Sequence, residues 1–230
     1  MNLLVLGRGK TGSLVAEVAR HSGHKVQVVG AAENTGASAL TEEKVRDVNV
    51  VIDFTTPASV IGHIEACVKA KTNIVIGTTG WYGEIDRIRK LVEDRDAGLI
   101  FAANFSIGVN LFLDIARTAA AALQHGYSGQ IFERHHVHKK DAPSGTAIAI
   151  QNVMREASGD NEKADLEITS FREGEVVGMH EVALDSAADR IYIYHDAKSR
   201  QGFAEGAVRA AEWIVGKKGF YDFKDFWREL

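Results

Sequence analysis

Short apolar segments alternate with helix patterns through the first hundred residues of this 230-residue chain. The apolar segments are continuous, and each one ends at a glycine or a polar residue. Strands of this kind, separated by helices, are typical of a parallel sheet that helices cover on both faces. We therefore predict an α/β fold for this part. The strands are expected at 2–6, 25–29, 48–54, 72–76 and 98–103.

The first strand runs into Gly7-x-Gly9-x-x-Gly12, which opens a helix pattern. Glycines at this point allow a tight turn and a close approach of a pyrophosphate to the helix N-terminus. Glu33 follows the second strand, where an acidic residue can accept hydrogen bonds from the adenosine ribose. The pattern predicts a Rossmann-like doubly wound sheet that binds NADPH or NADH. The expected cofactor contacts here are Gly7, Arg8, Gly9, Lys10, Thr11, Gly12 and Glu33.

The choice between the two cofactors stays open. Glu33 favours NADH, whereas Arg8 and Lys10 could hold the 2′-phosphate of NADPH. Two more loops follow strand ends, at the sheet edge where open α/β sheets bind ligands. Their small and hydroxyl-bearing residues would let a nicotinamide ring lie close to the backbone. These expected contacts are Gly77, Thr78, Thr79, Ala102, Ala103, Asn104 and Phe105.

The pattern changes after Asn104. A long alanine-rich helix is expected at 109–123, and a second helix at 144–157. Around them lie strand patterns at 129–136, 166–172, 176–184 and 190–195. Strands that return through short turns indicate an antiparallel or mixed sheet, and so a second, α+β domain. A last helix at about 203–216 precedes an aromatic tail.

Composition narrows the class of protein. The net charge is −4, which disfavours non-specific nucleic-acid binding. The single Cys67 excludes an intrachain disulfide and a multi-thiolate zinc site. No apolar run approaches the ~20 residues of a membrane span, and the N-terminus starts a strand without a signal peptide. We expect a cytoplasmic enzyme.

Residues 135–140 concentrate positive charge in an otherwise acidic chain. Three histidines and two lysines stand within these six residues, ahead of Ser144-Gly145-Thr146 at a helix start. Such cations repel one another unless an anion lies among them, and helix-start N–H groups add to the attraction. The segment predicts a site for a small polyanion with proton-transfer groups beside it. With no thiolates or paired carboxylates nearby, we predict no metal.

Taken together, six segments of this chain closely resemble the 4-hydroxy-tetrahydrodipicolinate reductase (dihydrodipicolinate reductase) family. The similarity spans nearly the whole chain, and the histidine segment is the most specific part of it. Besides the glycine loop, the segments are Val75-Ile76-Gly77-Thr78-Thr79-Gly80, Ala103-Asn104-Phe105-Ser106-Ile107-Gly108-Val109-Asn110, His135-His136-x-His138-Lys139-x-Asp141-Ala142-Pro143-Ser144-Gly145-Thr146, Val177-Gly178-x-His180 and Ala197-x-Ser199-Arg200-x-x-Phe203-Ala204-x-Gly206-Ala207.

The resemblance implies a cofactor domain at 1–105, on which 206–230 packs, and a substrate-binding and oligomerisation domain at 106–205. It also implies a homotetramer that reduces a cyclic imine with two carboxylates, in the diaminopimelate route to lysine. His135 and Lys139 match the family's proton-handling pair. The implied carboxylate contacts are His136, Lys139 or Lys140, Ser144, Gly145 and Thr146.

Three positions depart from the family's usual pattern. Arg134 and Lys140 add positive charge at the edge of the predicted site, and Met179 replaces a common glutamate. Two alternatives also stay open. One is another Rossmann oxidoreductase that acts on aldehydes or sugars. The other is a non-catalytic NAD(P)-binding sensor.

Overall fold

The computed structural model of the protein describes residues 1–159 and 166–230. The chain forms two compact units, one of Met1–Ile107 with Gln201–Leu230, the other of Gly108–Arg200. Among the described residues, the elements in chain order are β1 (Asn2–Leu6), α1 (Lys10–His21), β2 (Lys25–Val29), β3 (Val50–Asp53), α2 (Pro57–Lys69), β4 (Asn73–Ile76), α3 (Ile85–Asp94), β5 (Gly98–Phe101), α4 (Ile107–Ala119), β6 (Ser128–His135), α5 (Gly145–Ser158), β7 (Glu167–Arg172), β8 (Met179–Asp185), β9 (Arg190–Asp196), α6 (Gln201–Trp213), β10 (Gly219–Asp222) and α7 (Phe223–Phe226).

A six-stranded parallel sheet organises the first unit, in the order β10-β5-β4-β3-β1-β2. Successive strand residues point to opposite faces, so each face carries its own core. Leu3 and Val5 lie in the core that α1 and α6 cover. Leu4 and Leu6 lie in the core that α2 and α3 cover. The predicted α/β class with a Rossmann-like parallel sheet is confirmed.

The sixth strand of this sheet comes from the C-terminal tail. β10 pairs in parallel with β5, with Gly219 opposite Gly98 and Asp222 opposite Phe101. The sequence indicated only an aromatic tail here, because four residues after two lysines carry no recognisable strand pattern. Phe223, which follows directly, is fully buried in the core beneath α1 and α6.

A four-stranded mixed sheet, in the order β7-β6-β8-β9, organises the second unit. β6 runs parallel to β7 and antiparallel to β8. α4 and α5 cover one face, where Ile131, Val182 and Met154 belong to one buried core. The opposite face exposes Tyr192 and Tyr194. The predicted mixed sheet is confirmed.

Several predicted boundaries were wrong. The helix expected at 109–123 is α-helical only as far as Ala119 and continues as a 3₁₀ helix, Ala120–His125, before Gly126 ends it in the left-handed region. The strand expected from 176 begins at Met179. Part of the interval before β7 lies outside the described residues. None of the helices in the described parts of the chain is long and apolar enough to span a bilayer.

Candidate active site

The glycine loop between β1 and α1 has the form of a phosphate cradle. A Cβ at Gly7, whose φ is +104°, would overlap the carbonyl oxygen of Phe54, and one at Gly12 would overlap the carbonyl oxygen of Gly7. A Cβ at Gly9 would meet nothing within 4 Å. No side chain caps the start of α1, so its first N–H groups can bind an anion. The loop therefore fits a pyrophosphate at Gly9.

A cavity of about 280 Å³ opens over this loop. It brings together two of the three predicted cofactor loops with a third segment, 54–57, that the sequence did not single out. Its lining residues are Gly9, Lys10, Thr11, Gly12, Phe54, Thr55, Pro57, Gly77, Thr78 and Thr79. A Cβ at Gly77 would overlap the Phe54 ring, so this glycine is needed for the two segments to pack.

A buried carboxylate fixes the two threonines of this cavity. Asp53, fully buried at the end of β3, accepts hydrogen bonds from Thr55 N (2.9 Å), Thr55 Oγ1 (2.7 Å) and Thr78 Oγ1 (2.8 Å). Its other oxygen lies 2.6 Å from Nδ1 of His63, whose Nε2 contacts Asn34. The network therefore holds the loop after β3 against the loop after β4.

Glu33 and Arg8 form an ion pair with a nitrogen–oxygen distance of 2.8 Å. Glu33 also accepts a hydrogen bond from Gly30 N at 2.8 Å. Both side chains are more than half exposed, so either can turn toward a ribose. The predicted ribose acceptor and the predicted partner of a 2′-phosphate are therefore paired with each other, and the choice between NADH and NADPH stays open.

The third predicted cofactor segment follows β5. Ala102 donates to the carbonyl of Ile76, and Asn104 Oδ1 accepts from Ser106 N at 2.8 Å. Ala103 is exposed. The Phe105 ring is buried against Phe54 and Phe223, so only its backbone is left to contact a ligand.

The predicted polyanion site lies in the second unit, at one end of the helix-covered face of its sheet. His135 ends β6, and its Nδ1 contacts a carboxylate oxygen of Glu133, two residues earlier on the same face. The other oxygen of Glu133 accepts from Arg172 at 2.8 Å. Burial lowers the pKa of His135, and the opposing charge of Glu133 does not fully offset this.

His180 packs beside this pair on β8. Its ring meets that of His135 edge to face, at 5.2 Å between centroids. Its Nε2 lies 3.1 Å from Ser144 Oγ, which caps α5 by accepting from Ala147 N. Burial is the main cause that lowers the pKa of His180 to about 3, so its imidazole is neutral. His180 therefore anchors the start of the helix that carries Gly145 and Thr146.

Lys139 lies on the loop between β6 and α5. Its ammonium donates to both carboxylate oxygens of Asp141 at 2.9 Å, and this lowers the pKa of Asp141. His136 Nε2 lies 3.3 Å from Arg200, and its buried Nδ1 has no hydrogen-bond partner among the described residues. The second unit thus gathers His135, Lys139, His136 and the start of α5 at one end of its sheet.

Two of the three departures from the family pattern, Arg134 and Met179, lie on the sheet face opposite His135. Arg134 points to the opposite sheet face, where it lies over the Phe171 ring and 3.4 Å from Glu173. Lys140 is exposed. Met179, opposite Arg134 in β8, is buried.

Glu133, His135 and His180 offer ligand atoms within 4.8 Å of one another, a spacing that could hold a metal ion. Both Glu133 oxygens already have partners, however, in His135 and Arg172. The sequence interpretation gave no site role to Glu133, Arg172 or His180, although His180 lies in one of the family segments. Glu133 could have been found, because residues two apart on a strand share a face. Arg172 could not, since only the β6–β7 register brings it opposite His135.

Two family descriptions match the chain. "Dihydrodipicolinate reductase, N-terminus" matches residues 1–105, and "Dihydrodipicolinate reductase, C-terminus" matches residues 108–227. The chain belongs to the dihydrodipicolinate reductase family. Members of this family are NAD(P)H-dependent oxidoreductases, and so is this chain. The resemblance found in its motifs is confirmed.

Curated relatives carry the same description. A 4-hydroxy-tetrahydrodipicolinate reductase of Christiangramia forsetii is 35% identical across 100% of this chain and 99% of its own length. One of Neisseria meningitidis is 39% identical over 77% of this chain and 71% of its own. These matches do not favour the aldehyde or sugar oxidoreductase, or the sensor.

Solved structures agree on the fold. A dipicolinate-bound dihydrodipicolinate reductase from Paenisporosarcina sp. TG-14 has a TM-score of 0.79 at 25% identity, over 98% of both chains. The diaminopimelate dehydrogenase of C. glutamicum has a TM-score of 0.56 at 12% identity, covering 98% of this chain and 93% of its own. The second likeness is of fold alone.

Proposed function

We propose that this chain reduces 4-hydroxy-tetrahydrodipicolinate with NAD(P)H to tetrahydrodipicolinate and water, in the diaminopimelate route to lysine. The observation that carries the proposal is the end of the second unit's sheet. There a buried histidine–carboxylate pair, a lysine and a helix N-terminus gather in a chain of the reductase family. A small cyclic dicarboxylate matches this set of groups in charge and in its need for a proton.

The cofactor is assigned to the first unit. Gly7, Gly9 and Gly12 would admit the pyrophosphate at the start of α1, and the loops at 77–79 and 102–105 would flank the nicotinamide. When bound, NAD(P)H would supply a hydride to C4 of the conjugated imine, which forms as the 4-hydroxyl leaves as water together with a proton from the neighbouring ring carbon. Glu33 would bind the adenosine ribose, and it must exchange part of its contact with Arg8 to do so.

The substrate carboxylates are assigned to His136, Lys139, Ser144, Gly145 and Thr146. Gly145 and Thr146 present N–H groups at the start of α5, where the helix dipole favours negative charge. Lys139 can turn from Asp141, which is exposed at the surface and gains little from this pair. The site then exchanges a solvated ion pair for a bound carboxylate.

Proton transfer to and from the substrate is assigned to His135 and Lys139. Negative charge develops along the ring as it is reduced, and a nearby ammonium stabilises it. Lys139 would donate a proton to the carbon beside the reduced one, while His135 donates or accepts through Nε2. Positioned proton transfer of this kind typically contributes about 10²–10⁴-fold.

A homotetramer in the cytoplasm completes the proposal. The sheet face opposite α4 and α5 exposes Tyr192, Tyr194 and Phe171, and a group of exposed aromatic side chains is typical of a protein–protein contact. A second copy of the chain packed on this face would bury these rings.

The experiment that tests the reaction follows NADH and NADPH absorbance with substrate generated enzymatically in the cuvette, beside a panel of aldehydes and polyols. Turnover of the dicarboxylate ring alone supports the proposal. Turnover of the panel alone would favour the other oxidoreductase. Cofactor binding with no hydride transfer to any compound would favour the sensor.

A further inference from the structure

The acid–base residue His135 is one end of a chain of contacts that crosses two strands and a loop. Glu133 and His135 share the helix-covered face of β6, and Arg172 stands opposite His135 on β7. Glu133 is fully buried. A buried carboxylate is tolerated only when its charge and lone pairs are matched, and here Arg172 and His135 match them.

We propose that Glu133 and Arg172 are positioning residues for the reduction, which hold His135 in one tautomer and tie it to the loop that carries Lys139. The inference rests on the proposed function, because it assigns His135 and Lys139 to proton transfer. Neither Glu133 nor Arg172 is expected to touch the substrate.

The tautomer follows from the chemistry of the contact. An ionised carboxylate can only accept, so His135 must carry a proton on Nδ1 to bond with Glu133. Nε2 is then the atom that takes up or releases the reacting proton. It faces Gly178, where a side chain of any kind would begin 3.0 Å from it. A side chain at this position would crowd the imidazole, so the glycine keeps Nε2 free of a side-chain contact from residue 178.

Arg172 extends the link to the second proton-handling residue. One of its terminal nitrogens lies 2.8 Å from Glu133 Oε1 and 2.6 Å from the carbonyl oxygen of Asp141. The carboxylate of Asp141 in turn binds Lys139. A single guanidinium thus connects the partner of His135 with the backbone of the Lys139 loop. The two N–H groups of this planar nitrogen point in fixed directions, which a lysine ammonium on a flexible stem does not reproduce.

The pKa shifts of Glu133 and His135 favour the same tautomer as their hydrogen-bond geometry. Burial alone would raise the pKa of Glu133, but hydrogen bonds from Arg172 and Ser170, with the charges of His135 and Arg172, lower it overall. Burial lowers the pKa of His135 more than Glu133 raises it. The resting pair is therefore a carboxylate beside a neutral imidazole whose Nε2 carries no proton.

The test compares Glu133→Gln and Arg172→Lys with the control Glu173→Gln. Glu173 is the exposed next residue, and its side chain pairs with Arg134 on the other face. In Glu133→Gln, one amide oxygen must serve both His135 and Arg172, so the tautomer is no longer fixed. We expect kcat to fall about 100-fold, with KM for NAD(P)H within about twofold of wild type. The kcat of Arg172→Lys should fall about 10-fold, and the kcat of the control Glu173→Gln should not change.

A second readout separates positioning from mere stability. The imidazole nitrogen chemical shifts of His135, assigned by their loss in His135→Gln, should report a proton on Nδ1 in wild type and a mixture of tautomers in Glu133→Gln. The pH profile of kcat should shift in Glu133→Gln and not in Glu173→Gln. If Glu133→Gln does not fold, the kcat of Arg172→Lys and the tautomer seen in the wild-type spectrum still test the proposal.

Two results would overturn the proposal. One is a wild-type His135 protonated on Nε2 alone; the other is a folded Glu133→Gln with wild-type kcat and pH profile. Either of these results can be told apart from a failure of the proposed function. A wild type that binds cofactor but does not reduce the imine contradicts the proposed function, while the tautomer measurement still stands or falls independently.

Discussion

At the scale of single residues, Gly7, Gly9 and Gly12 play different parts. Gly7 and Gly12 are required by the fold, because a Cβ at either would overlap backbone oxygen atoms. Gly9 is not, since a Cβ there meets nothing and its φ of −71° suits any residue. A bound pyrophosphate needs such open space at the start of a helix, beside N–H groups that no side chain caps.

Gly9→Ala therefore separates binding from stability. The variant should keep the wild-type unfolding free energy within about 0.5 kcal/mol, because its methyl group enters open space. Its Kd for NADH and NADPH should rise at least about 10-fold, because the methyl would occupy the proposed pyrophosphate site. Fluorescence titration of the cofactor and denaturant unfolding measure the two effects. The control is Gly62→Ala, on α2, which should leave the Kd unchanged.

The buried imidazole of His180 makes the stability of the fold depend on pH. The folded chain keeps its imidazole neutral down to about pH 3, whereas in the unfolded chain it binds a proton near its ordinary pKa of 6.5. Between these values the unfolded state carries the extra proton, so stability falls as the pH is lowered from 6.5 toward 3. One proton contributes a slope of up to about 1.4 kcal/mol per pH unit.

His180→Gln should therefore flatten this slope. Urea unfolding of wild type, His180→Gln and the exposed control His125→Gln, repeated from pH 7 to pH 4, measures it. The control should follow wild type. Equal slopes for wild type and His180→Gln would show that burial of this imidazole does not govern acid stability.

At the scale of elements, the local sequence pattern predicted where a strand ends when an apolar run was followed by a glycine. β1 and β2 were predicted at their observed bounds, because Gly7 and Gly30 end them. The end of the α4 pattern was wrong, since alanines suit α and 3₁₀ helices alike. β10 was missed because its edge position beside β5 depends on the folded sheet.

Phe223 tests how far the tail belongs to the first unit's core. It is fully buried, with the ring of Phe105 at 4.9 Å and that of Phe226 at 5.6 Å. Phe223→Ala should lower the unfolding free energy by about 3–5 kcal/mol, the usual cost of such a truncation. Val215→Ala, at an exposed position, should cost less than about 0.5 kcal/mol. A loss below about 1 kcal/mol for Phe223→Ala would contradict a core role for the tail.

At the scale of the whole molecule, the local motifs predicted the cofactor loops and the family without any knowledge of the fold. The cluster from His135 to Thr146 is contiguous, so a reader of the sequence sees most of the proposed substrate contacts at once. Arg172 could not be seen this way, and His180 was seen only as part of a family segment, without a place in the cluster. They reach the cluster only through the register of β7 and β8 against β6.

The central claim is that this cluster carries out the reduction, and Lys139→Ala tests it most directly. The measurement is the steady-state oxidation of NADH and NADPH with enzymatically generated substrate, beside wild type and the exposed control Lys90→Ala on α3. We expect a loss in kcat of about 10²-fold or more for Lys139→Ala, with Kd for the cofactor unchanged and the control at the wild-type rate. A folded Lys139→Ala that turns over at the wild-type rate would contradict the account.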